Sequence, residues 1–515
     1  MVEPYRAEPL TDFSQGEHRA AMESALASVE RQLGRDYPLV VDGRTVETGQ
    51  YITSVNPGRP SQVVGRVSKA RRHDVDAALE ASWRTLKDWG YQSGAARARL
   101  LYRAAGEMRR RKFELAAWEV FEAGKTWPEA DADVAEAIDF LEYYGRQMER
   151  LDGPVPVTPL FGEEDTAFFI PLGAGAIIPP WNFPLAILTG MTMGAVVAGN
   201  PVVLKPASPT PIIAAKLLEI LEAVGVPPGV VNFLPGDGGE IGDHLVGHRL
   251  TRFISFTGSR EVGLRINRVA AESGAGTRWI KRVVAEMGGK DAIVVDETAD
   301  LDAAAAAIVS SAFGYQGQKC SACSRAILVN EVYDQVAERV VALTERLRVG
   351  AAEDPTNNLG PVIDERAFEK VLGYIEWGKA NARLLAGGQR VGTEGYFIAP
   401  TIFGDVAPGS KLEQEEIFGP VLSMVRARDF DHALDIANDT EYGLTGSLFS
   451  RPRERLERAR REFHVGNLYL NRKCTGAVVG AHPFGGFNLS GTDSKTGSPD
   501  YLVLFMQMKS VAEHL

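Results

Sequence analysis

The sequence predicts an α/β fold, with parallel sheets covered by helices on both faces. Two observations carry that expectation. From residue 173 onward, short apolar runs alternate with helical segments, and the alternation comes in two series, 173–268 and 291–463. A chain of 515 residues also exceeds what one hydrophobic core can fill, so two or three domains are expected.

The elements follow in order. Residues up to 38 are polar and helical in pattern, and 39–46 reads as a short hairpin around Asp42-Gly43. In 74–90, Val75, Leu79, Trp83 and Leu86 share one helical face, with Asp74 as the cap and Gly90 as the stop. Helices are expected over 95–111, 112–124 and 128–147. Pro154, Pro156 and Pro159 then separate extended runs, so 151–170 reads as a projecting β-hairpin. In the first alternating series, strands are expected at 176–178, 201–204, 230–234 and 252–256. Helices fall between them, and Thr210 and Pro211 offer an N-cap and first-turn proline for the one over 212–224. Strands of the second series are expected at 293–295, 326–329 and 421–426. The final apolar stretch, 501–511, has little to pack on locally, which suits pairing with another part of the chain or another subunit.

Composition removes several classes. A hydrophobic fraction of 45% with 24% charged residues fits a soluble globular protein. The formal net charge of -11 speaks against nucleic acid as the main partner. No apolar run reaches the roughly 18 residues of a membrane span. Residues 1–16 are acidic and lack the basic-then-apolar pattern of a secretion signal. The three cysteines, Cys320, Cys323 and Cys474, cannot form a disulfide scaffold for this length, so a reducing, cytoplasmic setting is expected.

The chemistry centres on Gly317-Gln318-Lys319-Cys320-Ser321-Ala322-Cys323. Cys320 follows an Ala-rich helical run and sits beside the cation Lys319, where a thiol can have its pKa lowered into the reactive range. Read as half a zinc site, Cys320-x-x-Cys323 lacks a second ligand pair at recognisable spacing, so no metal is expected. Lys205 would lie at a strand's carboxyl end, where open α/β sheets bind ligands, although a solvated strand-end lysine is common. Asn182, before the helix-opening Pro184, is either an oxyanion donor or an ordinary turn residue. Glu286, beside Gly288-Gly289, is either a mobile general base or a solvated carboxylate. Gly258 and Ser259 open a helix that could hold a pyrophosphate, or that is simply capped there. The G-x-G-x-x-G spacing is absent.

Taken in order, WNFP (181–184), KPAS (205–208), FTGS (256–259), EMGGK (286–290), GQKCSA (317–322), EEIFGP (415–420) and PFGG (483–486) resemble the aldehyde dehydrogenase superfamily, from about residue 40 to the end. The resemblance implies the aldehyde dehydrogenase fold. In that fold a Rossmann-like NAD(P)-binding domain (1–150 and 171–286) joins an α/β catalytic domain (287–490) and a small β oligomerisation arm (151–170 and 491–515). It implies Cys320 as the thiolate that attacks an aldehyde, Asn182 as oxyanion donor and Glu286 as the base that activates water. Lys205 would contact the adenosine ribose, Gly258 and Ser259 the pyrophosphate, Glu416 the nicotinamide ribose, and Phe418 the nicotinamide. Many NAD-preferring members carry Glu where this chain has Ser208, so NADP is expected to be tolerated beside NAD.

The loop 475–486 resembles that of the 1-pyrroline-5-carboxylate dehydrogenases, which oxidise L-glutamate γ-semialdehyde. By that likeness the N–H groups of Gly476 and Ala477, with Ser321, hold the substrate α-carboxylate, and Lys319 adds positive charge. Phe183 and Phe484 flank the aliphatic chain and Glu136 meets the ammonium group. Consecutive small residues can expose such an anion-binding nest, and an ordinary flexible loop is the plain alternative. The alternatives in function are another semialdehyde such as succinate semialdehyde, or a cysteine acyl-hydrolase. A homodimer or larger homo-oligomer is expected, with no extra region for a proline dehydrogenase.

Overall fold

The computed structural model describes residues 4–272, 274 and 276–515, so residues 1–3 of the acidic N-terminal stretch lie outside the described residues. Two seven-stranded sheets form the body. In the first, Gly175–Ile178, Val202–Leu204, Val231–Phe233, Phe253–Thr257 and Arg282–Glu286 run parallel. Their residues are almost all buried, which is why they read as unbroken apolar runs. Leu39–Val41 and Arg44–Val46 close one edge as the expected hairpin, with Asp42 and Gly43 both at positive φ as a two-residue hairpin turn requires. Register sets Ile178 level with Phe256, and Thr257 level with Glu286. The segments bearing Asn182, Lys205 and Ser259 therefore leave the sheet at the edge where Glu286 ends its strand.

In the second sheet, Thr401–Gly404, Val421–Ala427, Cys323–Val329, Asp291–Val295, Thr445–Phe449 and Asn467–Leu470 run parallel, and Arg383–Ala386 pairs antiparallel at one edge. The chain passes from the carboxyl end of one sheet to the amino end of the other through Met287-Gly288-Gly289-Lys290. Cys320 lies just before Cys323–Val329, at that same amino edge. Each sheet has its own apolar core, and the helices Gly94–Arg110, Trp127–Leu151 and Ala186–Val197 pack together over the first.

Glu163–Pro171 pairs with Pro154–Val155 on one side and with Met506–His514 on the other. Of the last residues, Tyr501, Leu502 and Phe505 are buried in the first core, and only Met506–His514 joins the projecting sheet. A further small sheet, Arg35–Tyr37, Arg59–Ser68 and Tyr51–Asn56, has no counterpart in the sequence reading. Among the described residues no helix is long and apolar enough to cross a membrane.

Two caps differ from expectation. Asp74 is the third residue of the helix Arg72–Trp89, and its carboxylate reaches back to accept the Arg71 N–H at 2.8 Å. Thr210 makes no side-chain cap to Pro211–Ala223. The buried carboxylate of Glu122 does so instead, accepting the Ile212 and Ile213 N–H groups at 2.8 Å each.

Candidate active site

The turn that carries Cys320 is built against local preference. After the helix Leu301–Phe313, Tyr315, Gln316 and Gly317 all have positive φ. For Tyr and Gln this is a strained conformation costing of order 1–3 kcal/mol each. Buried hydrogen bonds hold it. The Tyr315 hydroxyl donates to the Ala123 carbonyl at 3.0 Å, and Gln316 Nε2 donates to the Gly124 and Pro361 carbonyls at 3.2 and 2.7 Å. Gln318 then accepts the Ile363 N–H through Oε1 at 2.9 Å, and its carbonyl takes the Asn182 amide Nδ2 at 2.9 Å. Asn182 is thus buried and aimed at the nucleophile turn. Among the described residues, the Cys320 N–H has no acceptor. Gly289 must be glycine, because a Cβ there would lie 2.6 Å from the Cys320 carbonyl oxygen.

The expected lowering of the thiol pKa is not found. Burial, then the carboxyl groups of Asp291, Glu416 and Glu286, push the Cys320 thiol well up, against the pull of the Ser321 N–H. Lys319 offers no relief, because its ammonium is held by Glu129 at 2.7 and 2.8 Å. Cys323 points elsewhere, its buried thiol donating to the Arg325 carbonyl at 3.4 Å.

Glu286 is buried, and both of its oxygens accept hydrogen bonds. Oε1 accepts the Ser494 hydroxyl at 2.6 Å and the Ser494 N–H at 3.4 Å, and Oε2 accepts the Gly486 N–H at 3.2 Å. Burial raises its pKa to about 7, with those donors working the other way. A carboxyl tuned near neutrality can take a proton from water at physiological pH.

Along the carboxyl edge of the first sheet, Lys205 is the most unusual group. Its ammonium is buried and, among the described residues, has only the Pro206 carbonyl, at 3.4 Å, and burial lowers its pKa to about 8. A dry, underbonded cation at that edge fits a ligand with hydroxyl or anionic oxygens. Ser259 caps the helix Arg260–Ala271, accepting the Val262 N–H at 3.4 Å, while the Gly258 N–H is spent on the Glu286 carbonyl at 3.0 Å. Ser208 is exposed nearby in sequence. Glu416 accepts the Gly289 N–H at 3.1 Å, and a Cβ on Gly288 would collide with its carboxylate. Phe418, at positive φ, stands edge-on to Trp181 with ring centroids 5.4 Å apart.

The loop at Gly476 has its carbonyls occupied and its donors free. Arg472 donates to the Thr475 and Gly476 carbonyls at 3.0 Å each, Gly476 has φ +76°, and among the described residues the N–H groups of Gly476 and Ala477 have no acceptor. Cys474, two residues earlier, donates to the Ser321 carbonyl at 3.5 Å and ties the loop to the nucleophile turn. Phe484 is fixed by its N–H to the Thr496 carbonyl at 2.8 Å. Glu136 sits in a region of carboxylates, and burial followed by Asp133 raises its pKa to about 8.

Beneath Phe183 lies a group the sequence does not announce. Lys125 is fully buried, with Nζ 4.4 Å from the Phe183 ring centroid, 4.5 Å from that of Tyr315, 3.0 Å from Asp133 and 3.8 Å from Glu119. Burial opposes its charge, but Asp133 and Glu119 outweigh it and keep the ammonium protonated. Asp133 in turn accepts the Ala186 N–H at 2.8 Å, so one cluster supports the segments bearing Asn182 and Cys320. Elsewhere Asp76, His244 and His248 meet, but His248 Nδ1 accepts the Leu250 N–H at 3.1 Å. That leaves the proton of its neutral ring on the nitrogen facing Asp76, an arrangement for hydrogen bonding and not for a metal.

A match to the Aldehyde dehydrogenase family covers residues 44–511. The 1-pyrroline-5-carboxylate dehydrogenase of Geobacillus kaustophilus is 58% identical over 513 residues, and that of Geobacillus thermodenitrificans 57% identical over 513, each spanning 100% of both chains. A crystal structure of 1-pyrroline-5-carboxylate dehydrogenase from Thermus with bound NAD superposes at a TM-score of 0.99 with 55% identity, over 100% of each chain. With the family match over most of its length and more than half of its residues identical to these relatives end to end, the chain belongs to the aldehyde dehydrogenase family.

Proposed function

We propose that this enzyme oxidises L-glutamate γ-semialdehyde, the open form of 1-pyrroline-5-carboxylate, to L-glutamate with NAD. The observation that carries the substrate is the free donor pair at Gly476 and Ala477, bound through Cys474 to Ser321 beside the nucleophile. Two adjacent N–H groups and a serine hydroxyl suit an α-carboxylate. Glu136 suits the ammonium group, whose arrival would favour the charged form of a carboxyl that burial and Asp133 push toward the neutral one. Phe183 and Phe484 flank the chain between. Lys319 acts through Glu129 and not as a free cation.

Each chemical role follows from the surroundings. Cys320 gives its proton to solvent water as its sulfur attacks the aldehyde carbon, since burial keeps the resting thiol neutral. Asn182 Nδ2 has a second hydrogen beyond the one given to Gln318, and with the free Cys320 N–H it stabilises the oxyanion. A nicotinamide cofactor seated along Lys205, Ser259, Glu416 and Phe418 supplies the hydride acceptor. Glu286 takes a proton from water as the hydroxide adds to the thioester carbon, which releases the acid and restores Cys320.

Turnover across an aldehyde panel with both cofactors tests this reading. Glutamate γ-semialdehyde is expected to be preferred, NAD to be used, and NADP to be tolerated because Ser208 presents no carboxylate. Preference for succinate semialdehyde would sink the substrate assignment. Met506–His514 is exposed along all but its first residue, which supports a homo-oligomer joined through the projecting sheet, and the three free cysteines suit a cytoplasmic setting.

A further inference from the structure

Glu286 is held by a single short stretch, 485–495, that is itself anchored to both sheets. The Met287 N–H donates to the Ser490 carbonyl at 2.7 Å, and the Thr492 N–H to the Ala285 carbonyl at 2.9 Å. Lys495 Nζ ties the far end to the Gly466 and Gly485 carbonyls at 2.9 and 2.7 Å. The carboxylate is closely walled. A Cβ on Gly485 or Gly491 would lie 3.1 or 3.0 Å from Oε1, so both positions stay clear of a side chain. Of the three donors to this carboxylate among the described residues, two are backbone N–H groups, which only a proline would remove. The third, and the shortest at 2.6 Å, is the hydroxyl of Ser494, itself buried.

The geometry points to Ser494 as a positioning residue for hydrolysis of the thioester, its hydroxyl fixing Glu286 in the orientation from which the carboxylate takes a proton from water. This rests on Glu286 being the base of the proposed reaction. A hydroxyl donating to a carboxylate favours the charged, proton-accepting form, and an alanine methyl cannot. Ser494 does not touch the aldehyde. Its loss slows the step after hydride transfer and leaves the steps before it intact.

The test compares the unmodified enzyme with Ser494→Ala and Ser494→Thr, using glutamate γ-semialdehyde and NAD. For Ser494→Ala the alkaline-rising limb of kcat is expected to move up by about one pH unit, the loss of one charge-assisted hydrogen bond. At pH 7 kcat falls about fivefold and recovers as pH rises, while KM for the aldehyde stays within about twofold. A burst of about one reduced cofactor per subunit precedes slow turnover, because the thioester accumulates. Ser494→Thr keeps a hydroxyl and retains the original profile. An unmoved profile in Ser494→Ala, a loss uniform with pH, or a threonine variant shifted as far as alanine overturns the role of Ser494. Failure of the unmodified enzyme to turn over this aldehyde overturns the parent reading instead, so the two failures are distinct.

Discussion

Lys205→Met should make the cofactor-free enzyme more stable and the cofactor bind more weakly. Its pKa falls from 10.5 to about 8 on folding, and at 1.36 kcal/mol per unit that is a cost of roughly 3 kcal/mol for keeping the ammonium charged away from water. The sign follows from linkage. Below pH 8 both folded and unfolded chains carry the charge and the penalty is complete. As pH rises above 8 the folded chain releases its proton first, so the penalty shrinks, and it is gone above 10.5. Methionine fills a similar volume without charge. At pH 7 a thermal-shift assay without cofactor should show the variant melting several degrees higher, and the gain should fade toward pH 10.5. Cofactor titration by fluorescence should show affinity weakened about tenfold to a hundredfold, the worth of one hydrogen bond from a charged donor. An unchanged or lower melting temperature together with unchanged affinity would refute the argument that Lys205 is a dry cation kept for a ligand.

Two further outcomes are expected. Gly289→Ala puts a methyl 2.6 Å from the Cys320 carbonyl oxygen, so the nucleophile turn must shift; kcat should fall about a hundredfold while a calorimetric scan shows a folded chain. Glu122→Gln turns an amide N–H toward one of the two helix donors now held at 2.8 Å, and urea unfolding should register a loss of about 1–3 kcal/mol.

The parallel architecture was legible because strands such as Val202–Leu204 and Asp291–Val295 are buried on both faces and so carry continuous apolar runs. Tyr51–Asn56 and Arg59–Ser68 were not, since they alternate only weakly and are interrupted by Pro60 and Gly65. The candidate site residues were singled out by ordered motifs, each of which keeps its residues within a few neighbours. What escaped was whatever depends on a partner distant in sequence. Thr210 has the right residue type for a cap, yet Glu122, about ninety positions earlier, takes the helix donors. Lys319 has the right charge beside Cys320, but Glu129 neutralises it from 190 positions away. Ser494 resembles any loop serine until the fold brings Glu286 against it, and Tyr315 and Gln316 give no hint of left-handed backbone.

The Phe183 ring has two neighbours with opposite demands. One side is proposed to face substrate, and the other covers the buried Lys125 ammonium at 4.4 Å. An aromatic face is attracted to that cation, whereas an aliphatic side chain would leave it against inert surface. Substrate range cannot therefore drift freely by trimming this residue, because any smaller side chain that widens the pocket also uncovers an ion in the protein's interior. The route to a new substrate at this wall runs through other aromatic rings, or through simultaneous loss of Lys125 and its carboxylates.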